Sequence, residues 1–374
     1  MNKLKIMPIF GTRPEAIKMA PVVRALKNNQ NINTVVTVTA QHREMLDQVL
    51  DLFNIKPDYD LDIMKANQTL SEITSRVLKK LEAVFIKERP DLILVHGDTS
   101  TTFVASLAAY YQQIRIGHVE AGLRTGDKYS PFPEEMNRHL TGVLSDLHFA
   151  PTETAKKNLL NENISADKIT VTGNTVIDAL LDTVKDNYQF ENQLLSGLDF
   201  DNKKIILLTA HRRENLGEPL EEIFKAVRDL VIGDDNIEVV YPVHLNPKVK
   251  KVAEKLLEDI DRVHLIEPLD YEPFANLMNK SYMIMTDSGG IQEEAPSLGK
   301  PVLVLRNKTE RPEAVNAGTV KKVGANYRVI YDTARDLISN EDLYNEMAAK
   351  NNPYGDGKAA GRIVEFIKMS LTIN

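Results

Sequence analysis

The sequence predicts an α/β fold built from two Rossmann-like domains that face one another across a cleft. Three observations carry that prediction. Short apolar runs alternate with helical stretches along nearly the whole chain, the pattern of parallel strands joined by crossover helices. The alternation breaks once, at Gly173-Asn174-Thr175, gives way to a polar, weakly periodic stretch reaching about Asn202, and then restarts. Finally, 374 residues are too many for one ordinary hydrophobic core. A first domain is therefore expected over residues 1–170, completed by the C-terminal helix 358–374, and a second over 171–357.

In the first domain the expected strands are Lys5–Phe10, Thr34–Thr39, Asp91–His96, Arg115–Val119 and Leu147–Ala150, with Ile169–Thr172 near the boundary. Helices are expected at Pro14–Lys27, Leu70–Lys87 and Thr101–Tyr111. In the second domain the strands are Lys204–Thr209, Glu238–Val243, Val263–Ile266, Tyr282–Thr286 and Val302–Leu305. A break at Pro353-Tyr354-Gly355-Asp356-Gly357 precedes a final helix, roughly Ala359–Leu371.

Composition excludes several classes of function. The hydrophobic content of 43% is that of a globular protein, and the net charge of −7 argues against broad nucleic-acid binding. The absence of cysteine removes disulfides and thiolate metal sites. The start, Met1-Asn2-Lys3-Leu4-Lys5, reads as the lead into a strand rather than a signal peptide, and no stretch approaches the roughly 20 apolar residues a membrane span needs. A cytoplasmic enzyme or binding protein is expected.

The segment most informative about chemistry is Thr286-Asp287-Ser288-Gly289-Gly290, where an apolar strand meets a helix beginning Ile291-Gln292-Glu293-Glu294. Glycines there let a ligand approach the backbone, and the positive helix end favours a phosphate. Glu294 is placed to accept hydrogen bonds from a ribose diol. A capped turn is the plainer reading of Ser-Gly-Gly by itself. The first strand ends in Gly11-Thr12-Arg13-Pro14, with Lys18 a turn further, so Arg13 is placed to fork onto a diphosphate. Neither GxxxxGK[ST] nor GxGxxG is present at that turn, so no nicotinamide cofactor is signalled. Asp98 and Glu120 follow two further strands, and Glu134 follows Ser130-Pro131-Phe132-Pro133. One strand-end carboxylate is ordinarily a helix cap; three in one domain suggest acid/base chemistry. His211, Arg212 and Arg213 follow the first strand of the second domain, and His244 follows its second. The histidines are too scattered for a motif such as HExxH, so no metal is expected.

Taken together, the segments FGTRPEAIKMAP (10–21), TAQHREMLDQVL (39–50), VHGDTSTT (95–102), GHVEAGLRTGD (117–127), SPFPEEMNR (130–138), TGNTVIDALL (172–181), HRREN (211–215), YPVHLNP (241–247), TDSGGIQEEAPSLGKPVLVLR (286–306), TERPEAV (309–315) and NPYGDG (352–357) closely resemble the bacterial non-hydrolysing UDP-N-acetylglucosamine 2-epimerases. The match is collinear over nearly the whole chain. It implies the GT-B fold, a cytoplasmic homodimer, no cofactor, and C2 epimerisation of UDP-N-acetylglucosamine (UDP-GlcNAc) to UDP-N-acetylmannosamine for cell-surface polysaccharides such as teichoic acid or capsule. It further implies catalytic carboxylates at Asp98, Glu120 and Glu134, with His211 also catalytic. Substrate contacts would come from Arg13, Lys18, Asp98, Glu120 and His211, and contacts to uridine diphosphate (UDP) from Leu269 (through its backbone), Phe274, Ser288, Gly289, Gly290, Glu294 and Arg311. Gln41, Glu134, Arg212 and His244 match a second UDP-GlcNAc site that activates many members, while Glu44 and Asn67 depart from the polar pattern of some relatives.

The chemistry restricts the mechanism. C2 of the sugar is not beside a carbonyl, so a carboxylate alone cannot remove its proton. Departure of UDP from C1 makes the C2 proton removable, which points to anti elimination through a 2-acetamidoglucal and re-addition on the other face. A hydrolysing epimerase, a GT-B glycosyltransferase and a catalytically silent UDP-sugar sensor are the alternatives.

Overall fold

The computed structural model describes residues 3–40, 43–65, 68–309 and 311–372. The chain divides into two compact units, residues 1–181 with 354–374, and residues 182–353.

The first unit contains β1 (Leu4–Phe10), α1 (Arg13–Lys27), β2 (Ile32–Thr34), β3 (Thr37–Val38), α2 (Arg43–Leu52), β4 (Tyr59–Asp60), α3 (Leu70–Glu88), β5 (Leu92–His96), α4 (Ser100–Tyr111), β6 (Arg115–Val119), α5 (Glu134–Leu144), β7 (Leu147–Ala150), α6 (Glu153–Asn161), β8 (Ile169–Val171) and most of α7 (Thr175–Thr183). Its sheet is parallel, in the order β4-β3-β1-β5-β6-β7-β8, with β2 also on β1. The central strands are mostly apolar, as expected of a parallel sheet packed against helices. Met7, Ile9, Ile93, Val95 and Ile116 pack with Val77, Leu81 and Phe85 of α3 and Val104 and Ala108 of α4.

The second unit contains α8 (Gln193–Gly197), β9 (Lys204–Thr209), α9 (Glu218–Gly233), β10 (Ile237–Pro242), α10 (Pro247–Leu257), β11 (Val263–Ile266), α11 (Tyr271–Lys280), β12 (Met283–Thr286), α12 (Gly289–Glu294), β13 (Val302–Val304), α13 (Pro312–Ala317), β14 (Val320–Lys322), α14 (Tyr327–Ser339) and α15 (Glu341–Ala348). Its parallel sheet runs β11-β10-β9-β12-β13-β14. Ile206, Leu208, Tyr241, Met283 and Leu303 pack against Ile223, Phe224 and Val227 of α9 and Ile330 of α14. The last helix, α16 (Ala359–Thr372), packs on α1 of the first unit.

Three expectations need correction. The run Thr34–Thr39 is two short strands, because the Val36 N–H leaves the ladder to donate to the Asp58 carboxylate at 2.8 Å. The stretch after Gly173 is not weakly structured throughout, since it forms α7, whose Val176, Ile177, Ala179 and Leu180 are buried. The division between units falls after Leu181 rather than at 170/171. Asp178 explains this: its carboxylate accepts the Ala359 and Ala360 N–H groups at the start of α16, at 3.2 and 2.8 Å. The Asn174 N–H donates to the Tyr354 carbonyl, and Arg362 donates to that of Thr172. Among the described residues no helix is long and apolar enough to cross a membrane.

Three histidines at or near the carboxyl ends of the first sheet's strands are buried: His96, His118 and His148. Burial holds the imidazoles neutral, lowering His96 to about 4, His118 to about 3 and His148 to about 4. An unfolded histidine titrates near 6.5. Between that value and about 4 the unfolded chain takes up protons that the folded chain refuses, so stability is full above pH 6.5 and falls as pH drops through this window. Replacing His118 by Asn is expected to flatten the fall in melting temperature between pH 6.5 and 4; an unchanged slope would assign the acid sensitivity to other groups.

Candidate active site

In the first unit β1 lies between β3, on the side the chain fills first, and β5, which is reached by a crossover from edge strand β4. The carboxyl ends of strands beside such a reversal are where ligands bind in open α/β sheets. Gly11 ends β1 under tight constraint, since a Cβ there would lie 1.9 Å from Thr39 Oγ1. Glu15, buried one turn into α1, then ties the two strand ends together. Its carboxylate accepts the Gly11 and Thr12 N–H groups at 3.0 and 2.8 Å, and on the β5 side the Thr99 and Thr102 hydroxyls at 2.6 and 3.1 Å. Burial pushes the Glu15 carboxyl up, while these donors pull the other way.

This tie sets out the first group of expected residues. Arg13 stands half-buried at the first position of α1. Lys18, a turn further, pairs with Glu120, which follows β6. Glu120 has φ 62°, a left-handed conformation that costs a β-carbon residue roughly 1 kcal/mol or more. Its Oε2 also accepts the Asn174 amide at 2.8 Å and lies 3.9 Å from His96 Nε2. Asp98 follows β5, and its Oδ2 receives Arg138 Nε at 2.9 Å and Nη2 at 2.6 Å. Burial pushes the Asp98 carboxyl up, Arg138 restrains it, and Glu120 adds to the rise. Glu134 is half-buried at the start of α5. The structure therefore brings Lys18, Asp98 and Glu120 together at neighbouring strand ends.

The second unit repeats the plan. β9 lies between β10, which follows it in the chain, and β12, which is reached by a crossover from edge strand β11. Asp287, fully buried after β12, reaches across to the end of β9, where its Oδ2 accepts the His211 and Arg212 N–H groups, each at 2.8 Å, and the Asn215 amide at 3.0 Å. The His211 ring lies with Nδ1 3.7 Å from Asp287 Oδ1 and stacks on His244 at 4.9 Å between centroids and 12° between planes. Burial lowers the His211 imidazole against the pull of Asp287, and His244 and Arg212 reinforce the lowering.

Cations gather at the start of α12. A Cβ built on Gly289 would lie 3.8 Å from Arg212 Nη2 and 4.0 Å from Arg311 Nη2. The buried Arg212 Nε has no hydrogen-bond partner among the described residues, and Arg311 is braced by its ion pair with buried Glu293. The Ser288 N–H is taken by Thr286 Oγ1 at 2.9 Å, and the N–H groups of the first turn of α12 have no partner within the helix. Two guanidinium groups over a helix start suit a phosphate-type anion. Leu269 lies half-buried beyond β11, Phe274 in the first turn of α11, and Glu294 at the end of α12.

Of the residues matched to a second nucleotide-sugar site, Arg212 and His244 flank His211, and Glu134 lies on α5 of the first unit. Gln41 and Asn67 lie outside the described residues. No group of three His, Asp or Glu side chains with metal-binding geometry occurs among the described residues. Sequence reasoning passed over Arg138, Asn174, His96, Asp287 and Glu293, although all but Glu293's role could be suspected from standing at strand ends or, for Arg138, three residues after Glu135 on one helix face.

The model of the family described as UDP-N-acetylglucosamine 2-epimerase matches residues 24–368. The chain is 62% identical over 365 residues to the UDP-N-acetylglucosamine 2-epimerase of Bacillus subtilis strain 168, covering 98% of this chain and 95% of that protein. It resembles the crystal structure of UDP-GlcNAc 2-epimerase from Neisseria meningitidis bound to UDP-GlcNAc, with TM-score 0.87, 54% identity, and coverage of 98% of this chain and 100% of that one. It also resembles the S. aureus MnaA–UDP co-structure, with TM-score 0.85, 57% identity, and coverage of 99% and 98%. These likenesses run over both parallel-sheet α/β domains, the constituents of the GT-B fold. The chain belongs to the bacterial UDP-N-acetylglucosamine 2-epimerase family, a family of isomerases, of the non-hydrolysing type its motifs resemble.

Proposed function

We propose that this protein interconverts UDP-GlcNAc and UDP-N-acetylmannosamine by anti elimination of UDP, formation of 2-acetamidoglucal, and re-addition of UDP. The observation that carries the reading is the pair of carboxylates at adjacent strand ends, Asp98 and Glu120, in environments of different character. Asp98 is desolvated and held by one arginine, whereas Glu120 is engaged by an ammonium and an amide. Carboxylates so differentiated suit removal and return of a proton. The two groups needed are drawn from Asp98, Glu120 and Glu134. In the second unit, Arg212, Arg311 and the start of α12 stabilise the charge that builds on the departing diphosphate, with His211 beside them. Arg13 and Lys18 contact substrate, while Leu269, Phe274, Ser288 and Glu294 complete the UDP contacts.

The product supplies N-acetylmannosamine units for cell-surface polysaccharide, and the enzyme acts in the cytoplasm. A second UDP-GlcNAc acts as activator through Gln41, Glu134, Arg212 and His244. The protein works as a homodimer. Support for this comes from α5, where Met136, Leu140 and Val143 form an exposed apolar stripe, and from α4 packed against it, which ends in exposed Tyr110 and Tyr111.

In D2O, the recovered UDP-sugars should carry deuterium at C2, with most UDP still attached to sugar. Retention of the original hydrogen would rule out the elimination, and release of free N-acetylmannosamine would identify a hydrolase. Changing Asp98 to Asn or Glu120 to Gln should lower turnover by on the order of 10² or more. For the assembly, sedimentation should show a dimer that Val143→Glu shifts toward monomer; a monomeric wild-type protein would refute it.

A further inference from the structure

A carboxylate transfers protons efficiently when one oxygen is unencumbered and the group is held still. One side chain arranges both for Asp98. Arg138 Nε and Nη2 converge on Asp98 Oδ2, at 2.9 and 2.6 Å, and Oδ1 is left with no hydrogen-bond partner among the described residues. The third guanidinium nitrogen, Nη1, donates to Glu135 Oε2 at 2.9 Å. Glu135 is buried to 1% exposure, and its Oε1 accepts the Thr125 and Gly126 N–H groups at 2.9 and 3.1 Å. Those two residues belong to the loop that leaves β6 just beyond Glu120. Asn137, on the same helix, donates to the Asp98 carbonyl at 2.9 Å. Helix α5 thus clamps the strand ends that carry both carboxylates.

The geometry differs from that of an ordinary surface ion pair. The Arg138 side chain retains 16% exposure, and its planar fork leaves little freedom at either end. We infer that Arg138, locked by Glu135, is a positioning residue that fixes the Asp98 carboxylate with Oδ1 as its proton-transferring oxygen. The inference rests on the epimerisation proposed above.

A second consequence is electrostatic. The charges facing Asp98 are Arg138 on α5, Glu120 after β6 and Lys18 on α1. Burial and Glu120 favour the protonated acid, while Arg138 and Lys18 favour the carboxylate. Without the guanidinium, the raising influences meet only Lys18, and Asp98 protonates at higher pH.

The test follows solvent deuterium entry at C2 of UDP-GlcNAc against pH, using the full-length protein. For Arg138→Gln the acidic limb of the kcat profile should move up by about one pH unit or more. Its kcat should fall on the order of ten- to a hundredfold while KM stays within about threefold. Arg138→Lys should restore the limb but not kcat, because an ammonium cannot form the fork. A wild-type limb in Arg138→Gln, with only a lowered melting temperature, would reduce Arg138 to a brace of the fold. Should Arg138→Gln fail to fold, Arg138→Lys decides: wild-type kcat there overturns the positioning role, and lowered kcat with an unshifted limb supports it. Asp98→Asn serves as the separate control, since wild-type turnover in that variant would remove Asp98 from the reaction whatever Arg138 does.

Discussion

Each sheet depends on one buried carboxylate that bridges the point where its strand order reverses. Parallel strands diverge beyond their carboxyl ends, and the turns that follow leave backbone N–H groups without ladder partners. Glu15 in the first unit and Asp287 in the second accept those groups and join the turn to its neighbour. Burying a carboxylate is costly, but hydrogen bonds to a charged acceptor return roughly 1.5–3 kcal/mol each. Neither acid has a lysine or arginine as its main partner; amides and hydroxyls do the work. The result is a pair of stiff turns, and on them stand Arg13 in one unit and His211 and Arg212 in the other.

Stiff turns permit charges to be arranged by sign. In the first unit acids and bases alternate: Lys18 with Glu120, and Arg138 shared between Asp98 and Glu135. The two acids that share Arg138 end up different. Glu135 is buried too, yet backbone N–H groups and Arg138 bring it below the usual carboxylate range, whereas Asp98 is pushed above it. Burial acts on both acids, and backbone donors, which Asp98 lacks among the described residues, account for the opposite directions. The left-handed backbone at Glu120 comes with a side chain held by Lys18 and Asn174.

The second unit concentrates the opposite charge. Arg212 and Arg311 approach the start of α12, whose first residues are glycines, so cations and helix amides share a space free of side chains. His211, next to Arg212 in the chain, stacks on His244, and burial lowers its imidazole.

The sequence by itself determined the class of fold, because apolar runs separated by amphipathic helices have one favourable arrangement, a parallel sheet covered on both faces. Strands such as Arg115–Val119, Leu147–Ala150 and Lys204–Thr209 stand where the apolar pattern puts them. It also placed Arg13, Asp98, Glu120, His211 and Ser288 at strand ends, since position along an α/β chain dictates that much. Short edge strands β4 and β14 escaped, as two or three residues carry no period. The division of Thr34–Thr39, the helix at 175–183 and the boundary at Leu181 were decided by Asp58 and Asp178, whose partners lie far away in sequence. The same holds for Arg138 and Asn174. Periodicity reports which face of an element is buried; which charge meets which across neighbouring strands exists only once the tertiary structure has brought them within hydrogen-bonding distance.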